Sequence, residues 1–89
     1  MNSRTTAQFW DLFARLPKHV RDQAHRAHQL FVANPSHPGL RFKPVDSSRP
    51  LYSARVGLSH RVLGVRDGDT VVWFWIGTHA EYDQLLRHL

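Results

Sequence analysis

The chain contains no cysteine in its 89 residues, which excludes disulfide bonds and thiolate metal sites. It also lacks any apolar run of about 18 residues, the minimum for a membrane-spanning helix, and its first residues lack the apolar segment of a signal peptide. Acidic residues are few, with seven Asp and Glu against twelve Lys and Arg. These deficits predict one domain over residues 1–89, in the cytoplasm and without membrane contact.

The excess of basic residues is almost entirely arginine, since only Lys18 and Lys43 are lysines. The net charge is +5 and the isoelectric point is near 10.8. A guanidinium group binds phosphate through a planar fork, whereas an ammonium group acts as a point charge. The composition therefore favours a polyanion or an acidic protein as partner, although a small soluble domain can be basic without any specific partner.

The pattern of apolar residues predicts helices at both ends of the chain. A first helix is expected from Thr6 to Arg15, and Pro17 begins a second helix that extends to about Ala33. Near the other end, Thr78 and Glu81 form a capping box that opens a short third helix.

Four extended runs lie between these helices, and Asp67-Gly68 predicts a hairpin with a type I′ turn before the last of them. This order of elements predicts an α+β fold: two N-terminal helices packed on a four-stranded, mainly antiparallel twisted sheet, with a short C-terminal helix. The predicted strands are Leu40 to Val45, Leu51 to Val56, His60 to Val65 and Val71 to Ile76.

Two arginines flank the short turn between the second and third predicted strands. A three-residue loop pairs Arg55 with Arg61 on one face of the sheet, whereas a two-residue loop moves Arg61 to the opposite face. Arg41 and Lys43 share one face of the first predicted strand, so four cations meet on the sheet if that face carries Arg55. The alternative is a set of solvated arginines and lysines without a common ligand.

The junction between the last strand and the third helix presents His79 and Tyr82 one turn apart. An imidazole can give or take a proton near neutral pH, and a tyrosine can stack on a base or donate to a phosphate. Alternatively, His79 is only a polar residue at a helix start and Tyr82 only covers the core. Seven histidines are present, but their spacing and the lack of cysteine predict no metal site and no cofactor.

Three segments resemble the RelE/ParE toxin superfamily. They are the hairpin Leu51–Gly64, the junction Ile76–Asp83 and the turn region Asn34–Lys43, and the likeness extends from about Leu16 to Leu86. Members of this superfamily usually begin with a strand, and residues 1–6 are too short and polar to show one. Some RNA-cleaving members carry a glutamate near the start of the sheet as general base, which this chain lacks.

The resemblance implies a toxin of a bacterial type II toxin–antitoxin system, neutralised by a cognate antitoxin. RelE-like members are endoribonucleases that cut mRNA in the ribosomal A site, where the ribose 2′-OH attacks the adjacent phosphate. Carried onto this chain, Arg61 would stabilise the transition state, Arg55 would position the backbone and His79 would be the general acid. Tyr82 would hold or stack on the substrate, and the remaining implied RNA contacts are Arg41, Lys43 and His60.

Two other functions stay open. A ParE-like gyrase inhibitor acts by binding alone, and a RelE-fold binding module recruits a protein without being toxic. His79 beside paired arginines favours the ribonuclease, because a protein that only binds needs no general acid.

Overall fold

The computed structural model describes residues 1–89 as one mixed sheet with helices on both faces. The elements are β1 (Asn2–Thr5), α1 (Ala7–Ala14), α2 (Lys18–Ala33), a 3-10 helix (Pro38–Leu40), β2 (Lys43–Pro44), β3 (Leu51–Val56), β4 (His60–Asp67), β5 (Thr70–Thr78) and α3 (His79–Arg87). The strand order in the sheet is β1-β5-β4-β3-β2. The α+β class and the helix pair on the sheet are confirmed, and none of the helices is long and apolar enough to cross a membrane.

The sheet has five strands, so the prediction of four was wrong. The additional strand, β1, lies parallel to β5 at the edge of the sheet, with Ser3 opposite Val71. Its residues are polar and show no alternation of polar and apolar side chains. The strand is held instead by backbone pairing with β5 and by side-chain hydrogen bonds. The Ser3 hydroxyl accepts a hydrogen bond from Trp73 Nε1 at 3.0 Å.

The first predicted strand, Leu40 to Val45, is reduced to the two residues of β2. Leu40 belongs to the 3-10 helix and is buried in the core, and Arg41 has left-handed backbone with φ of 48°. The alternation of polar and apolar residues predicts a longer strand here, but the 3-10 turn and not a strand buries Leu40. Pro44 cannot donate a backbone hydrogen bond, which suits a short edge strand.

The last hairpin forms one residue later than predicted. Asp67 pairs with Thr70, so Gly68 and Asp69 are the central turn residues. Only Gly68 has positive φ, at 58°, which excludes the predicted type I′ turn and fits a type II′ turn with glycine first.

A β-bulge divides the aromatic residues of β5 between two cores. Leu63 pairs with Trp75 and Gly64 pairs with Trp73, so Phe74 has no direct partner on β4. Trp73 and Trp75 would share a face in a regular strand. Instead Trp73 packs in the larger core under α1 and α2, and Trp75 packs against the smaller core under α3.

We expect the smaller core to dominate the stability of the α3 side. Leu63 has no exposed surface, and its contacts are with Leu51 and Tyr82. The substitution Leu63→Ala should lower the free energy of unfolding by about 2–5 kcal/mol, because it removes buried surface and leaves a cavity. Urea denaturation measures this, and Leu58→Ala is the matched control. Leu58 is 85% exposed, so an equal loss in both variants would contradict the prediction.

Candidate active site

The hairpin between β3 and β4 brings two arginines side by side. Val56 pairs with His60 and Arg55 pairs with Arg61, which leaves Gly57, Leu58 and Ser59 as a three-residue loop. Gly57 has φ of 59°, a conformation that favours glycine. Of the two registers that the sequence allowed, this one places both guanidinium groups on the α3 face of the sheet. Neither arginine forms an ion pair.

The guanidinium group of Arg61 is held against the ring of Tyr82, with Cζ 5.6 Å from the ring centroid. Tyr82 is only 8% exposed, because it packs on Leu51 and Leu63. Arg61 Nε is buried and has no hydrogen-bond acceptor in the protein. A buried donor without an acceptor costs about 1–3 kcal/mol, and an anionic ligand would recover that energy.

The predicted capping box positions the start of α3. The Thr78 hydroxyl accepts a hydrogen bond from Glu81 N–H at 3.1 Å, and Thr78 N–H donates to Glu81 Oε1 at 2.8 Å. The Thr78 backbone N–H, and to a smaller extent the Thr78 side chain, hold the pKa of the Glu81 carboxyl below its usual value. The backbone N–H of His79 also donates to the carbonyl of Ser59 at 2.9 Å, which fixes His79 beside the β3–β4 turn.

His79 has a carboxylate partner that the sequence reading missed. Its Nδ1 lies 3.1 Å from Asp83 Oδ2, and both side chains are about half exposed. The imidazole also lies edge-on to the Tyr82 ring, with the ring centroids 6.1 Å apart. The spacing of four residues on a helix was the available signal, because side chains at i and i+4 meet.

Of the other predicted contacts, only Lys43 shares the face of the arginines. It pairs with Ser53, which precedes Arg55 on the same side of β3, and its side chain is exposed. Arg41 does not lie on a strand, because of its left-handed turn. The sheet face therefore carries three of the four predicted cations.

His60 lies on the opposite face of β4 from Arg61, so the structure does not bring this predicted RNA contact together with the arginine pair. It is 9% exposed, and its Nδ1 lies 2.7 Å from the Ser59 hydroxyl. Burial lowers the pKa of His60 below 6.5, and the nearby His19 acts in the same direction. The Glu81 carboxylate opposes this effect without cancelling it.

Because the folded protein depresses the pKa of His60, the unfolded chain binds more protons below about pH 6.5. We therefore expect the free energy of unfolding to fall as pH decreases from 6.5, and to be insensitive to this group above that pH. Urea denaturation at several pH values measures the slope. His60→Asn should show a shallower slope than the wild-type protein, and equal slopes would contradict the assignment.

The arginine face is an open surface. A mainly apolar cleft of about 220 Å³ lies under α1 and α2, lined by Phe9, Phe13 and Phe31; Arg55 contributes to its lining, but Arg61 and His79 do not. No three His, Asp or Glu side chains come together in a way that could hold a metal ion. A basic surface outside a cleft suits a macromolecular ligand better than a small molecule.

A protein-family comparison decides the family. The profile of the ParE-like toxin domain matches residues 18–84, from α2 to most of α3. The chain belongs to the ParE-like toxin family. The resemblance to RelE/ParE toxins that the sequence indicated is thereby confirmed, and the matched residues contain Arg55, Arg61 and His79. No curated protein matches the chain significantly by sequence.

Solved structures of RelE, YafQ and YoeB proteins share the fold. RelE in the RelB–RelE complex of Methanococcus jannaschii is 17% identical, with a TM-score of 0.73 over 92% of this chain and 96% of that one. YafQ of Escherichia coli is 16% identical, with a TM-score of 0.70 over 91% and 96%. The RelBE2 toxin–antitoxin complex of Mycobacterium tuberculosis is 25% identical, with a TM-score of 0.60 over 88% and 96%.

Proposed function

We propose that this toxin is an endoribonuclease that cleaves mRNA on the ribosome and is neutralised by a cognate antitoxin. One observation carries the proposal: Arg55 and Arg61 lie side by side without acidic partners, next to a His79–Asp83 pair. Two adjacent guanidinium groups repel each other unless an anion lies between them, and a phosphodiester fits that position.

The reaction is transfer of the phosphoryl group to the ribose 2′ oxygen. The 2′-OH attacks the adjacent phosphorus and the bond to the 5′ oxygen breaks, which yields a 2′,3′-cyclic phosphate and a 5′-OH. Arg61 stabilises the negative charge that develops on the phosphate oxygens, and Arg55 positions the backbone. Charge stabilisation of this type contributes about 3–4 kcal/mol per donor.

His79 supplies the proton for the leaving 5′ oxygen. Asp83 accepts a hydrogen bond from Nδ1, which orients the ring and leaves Nε2 free to donate. Glu81 is engaged in the capping box and Asp83 in this pair, so the proton of the 2′-OH passes to water.

Tyr82 acts through Arg61 and not by stacking on the substrate. At 8% exposure little of its ring is available to a base, while one ring face supports the guanidinium group. It is therefore a positioning residue. Lys43 is exposed and lies on β2 opposite Ser53, two residues before Arg55 on β3. It binds the RNA backbone next to the reacting phosphate.

The proposed antitoxin partner draws on the RelB–RelE structures, in which related folds are bound to an antitoxin. An antitoxin that places acidic side chains against Arg55 and Arg61 would occupy the phosphate position. The ribosomal target places the activity in the cytoplasm. A ParE-like gyrase inhibitor or a binding module would need neither the free arginine pair nor the His79–Asp83 pair.

The test is induced expression in bacteria, with the 5′ ends of cellular RNA mapped after induction. Growth arrest with new mRNA ends inside translated frames is the expected result. Arrest without new ends would point to gyrase or another bound target, and no arrest would favour a binding module. Co-expression of the protein encoded by the adjacent gene should restore growth if that gene encodes the antitoxin.

A further inference from the structure

Ser59 connects the two elements that carry the proposed catalytic groups. Its carbonyl accepts the backbone N–H of His79 at 2.9 Å, and its hydroxyl lies 2.7 Å from His60 Nδ1. His60 in turn is adjacent to Arg61 in sequence and faces the opposite side of β4. A single residue of the turn therefore links the start of α3 to the strand that presents Arg61.

His60 occupies a position where a positive charge would be costly. It is 9% exposed and pairs with Val56 on one side and Thr78 on the other. Two titratable groups face it, His19 from α2 and Glu81 from α3. The Glu81 carboxylate is the only group near His60 that can compensate a charge on the ring, and that carboxylate already accepts Thr78 N–H.

We propose that Ser59 and His60 form a positioning pair that holds His79 beside Arg61 while the His60 imidazole is neutral, and releases it when the imidazole is protonated. A protonated ring attracts the Glu81 carboxylate away from Thr78, which opens the capping box. The first turn of α3, which carries His79, then loosens. A displacement of about 1 Å at a reacting group costs on the order of 100-fold in rate.

This inference rests on the proposed ribonuclease function, and its pH dependence separates it from the role of His79. A general acid must be protonated, so His79 makes cleavage fall as pH rises. His60 must be neutral, so it makes cleavage fall as pH decreases. The two groups therefore affect opposite limbs of the pH profile.

The first test measures kcat and KM for cleavage of ribosome-bound mRNA between about pH 5 and 8. His60→Asn keeps a polar group near the Ser59 hydroxyl and cannot be protonated. It should keep kcat at neutral pH within about 3-fold and lose much of the decrease at acid pH. His60→Leu, of similar volume but without a polar atom, should lower kcat by about 10-fold or more with little change in KM. His88→Asn, at the other end of α3, is the control and should match the wild-type profile.

The second test does not depend on activity. The backbone amide of His79 is followed by NMR through a pH titration, together with the imidazole signals of His60 and His79. In the wild-type protein the amide should show an inflection at the midpoint of His60 titration, and this inflection should be absent in His60→Asn.

The two tests distinguish the two hypotheses. An inflection without any RNA cleavage would support the positioning pair and overturn the ribonuclease proposal. Cleavage without the inflection, or identical acid limbs in wild type and His60→Asn, would overturn the positioning pair. Full activity of His60→Leu at neutral pH would overturn it as well.

Discussion

Replacing Arg61 by alanine should lower mRNA cleavage by about 10²–10³-fold, because the phosphate loses the donor that meets its developing charge. The effect should appear in kcat more than in KM, since Arg55 and Lys43 still attract the RNA backbone. Cells that express Arg61→Ala should grow after induction. The measurement is single-turnover cleavage of ribosome-bound mRNA by the purified protein, alongside growth after induction.

Arg66 is a matched control for this experiment. Its guanidinium group also lies over a tyrosine ring, with Cζ 5.2 Å from the centroid of Tyr52, but at the other end of β4. Arg66→Ala removes the same charge and the same kind of ring contact without touching the candidate site. Equal losses in both variants would mean that Arg61 contributes to stability or net charge and not to catalysis.

Replacing His79 by alanine should lower the rate of mRNA cleavage by about 10²–10³-fold, since a general acid contributes on this scale. The decrease of activity with rising pH should also disappear, because His79 is the group that must be protonated. The measurement is the pH profile of kcat for both proteins. His79 is half exposed, so the variant should unfold at a similar urea concentration.

Asp83→Asn tests the carboxylate partner separately. It keeps a hydrogen-bond acceptor that can orient the ring through Nδ1 and removes only the negative charge, so its loss of activity should be smaller than that of His79→Ala. Full activity of His79→Ala would remove the general-acid role and with it the main argument against a protein that acts by binding alone.

The elements predicted correctly are those whose signals lie within a few neighbouring residues. The capping box of Thr78 and Glu81 formed with both bonds, and β3 begins and ends at the predicted residues. Helix α2 follows Pro17 as expected. Each depends on propensity, periodicity or capping, which act over one or two turns of the chain.

The failed predictions involve partners distant in the chain. Strand β1 exists because β5 offers an unpaired edge, and its own residues carry no strand pattern. The bulge opposite Gly64 turns Trp75 to the other face of the sheet from Trp73. The alternation of side chains along a regular strand would place both on the same face. Likewise His60 and Arg61 are adjacent in sequence and face opposite sides of β4. The length of the β3–β4 loop, three residues, decided that Arg61 and not His60 lies beside Arg55.

The sequence by itself determined the α+β class, the basic character, the start of α3 and the family resemblance, because these follow from composition and local pattern. Only the tertiary structure decided that Arg55 lies beside Arg61 and His79 beside Asp83 while His60 is buried. The reason is that side chains alternate along a strand, so a shift of one residue in strand register exchanges the two faces of the sheet. Register is set by turn geometry and packing across the whole domain.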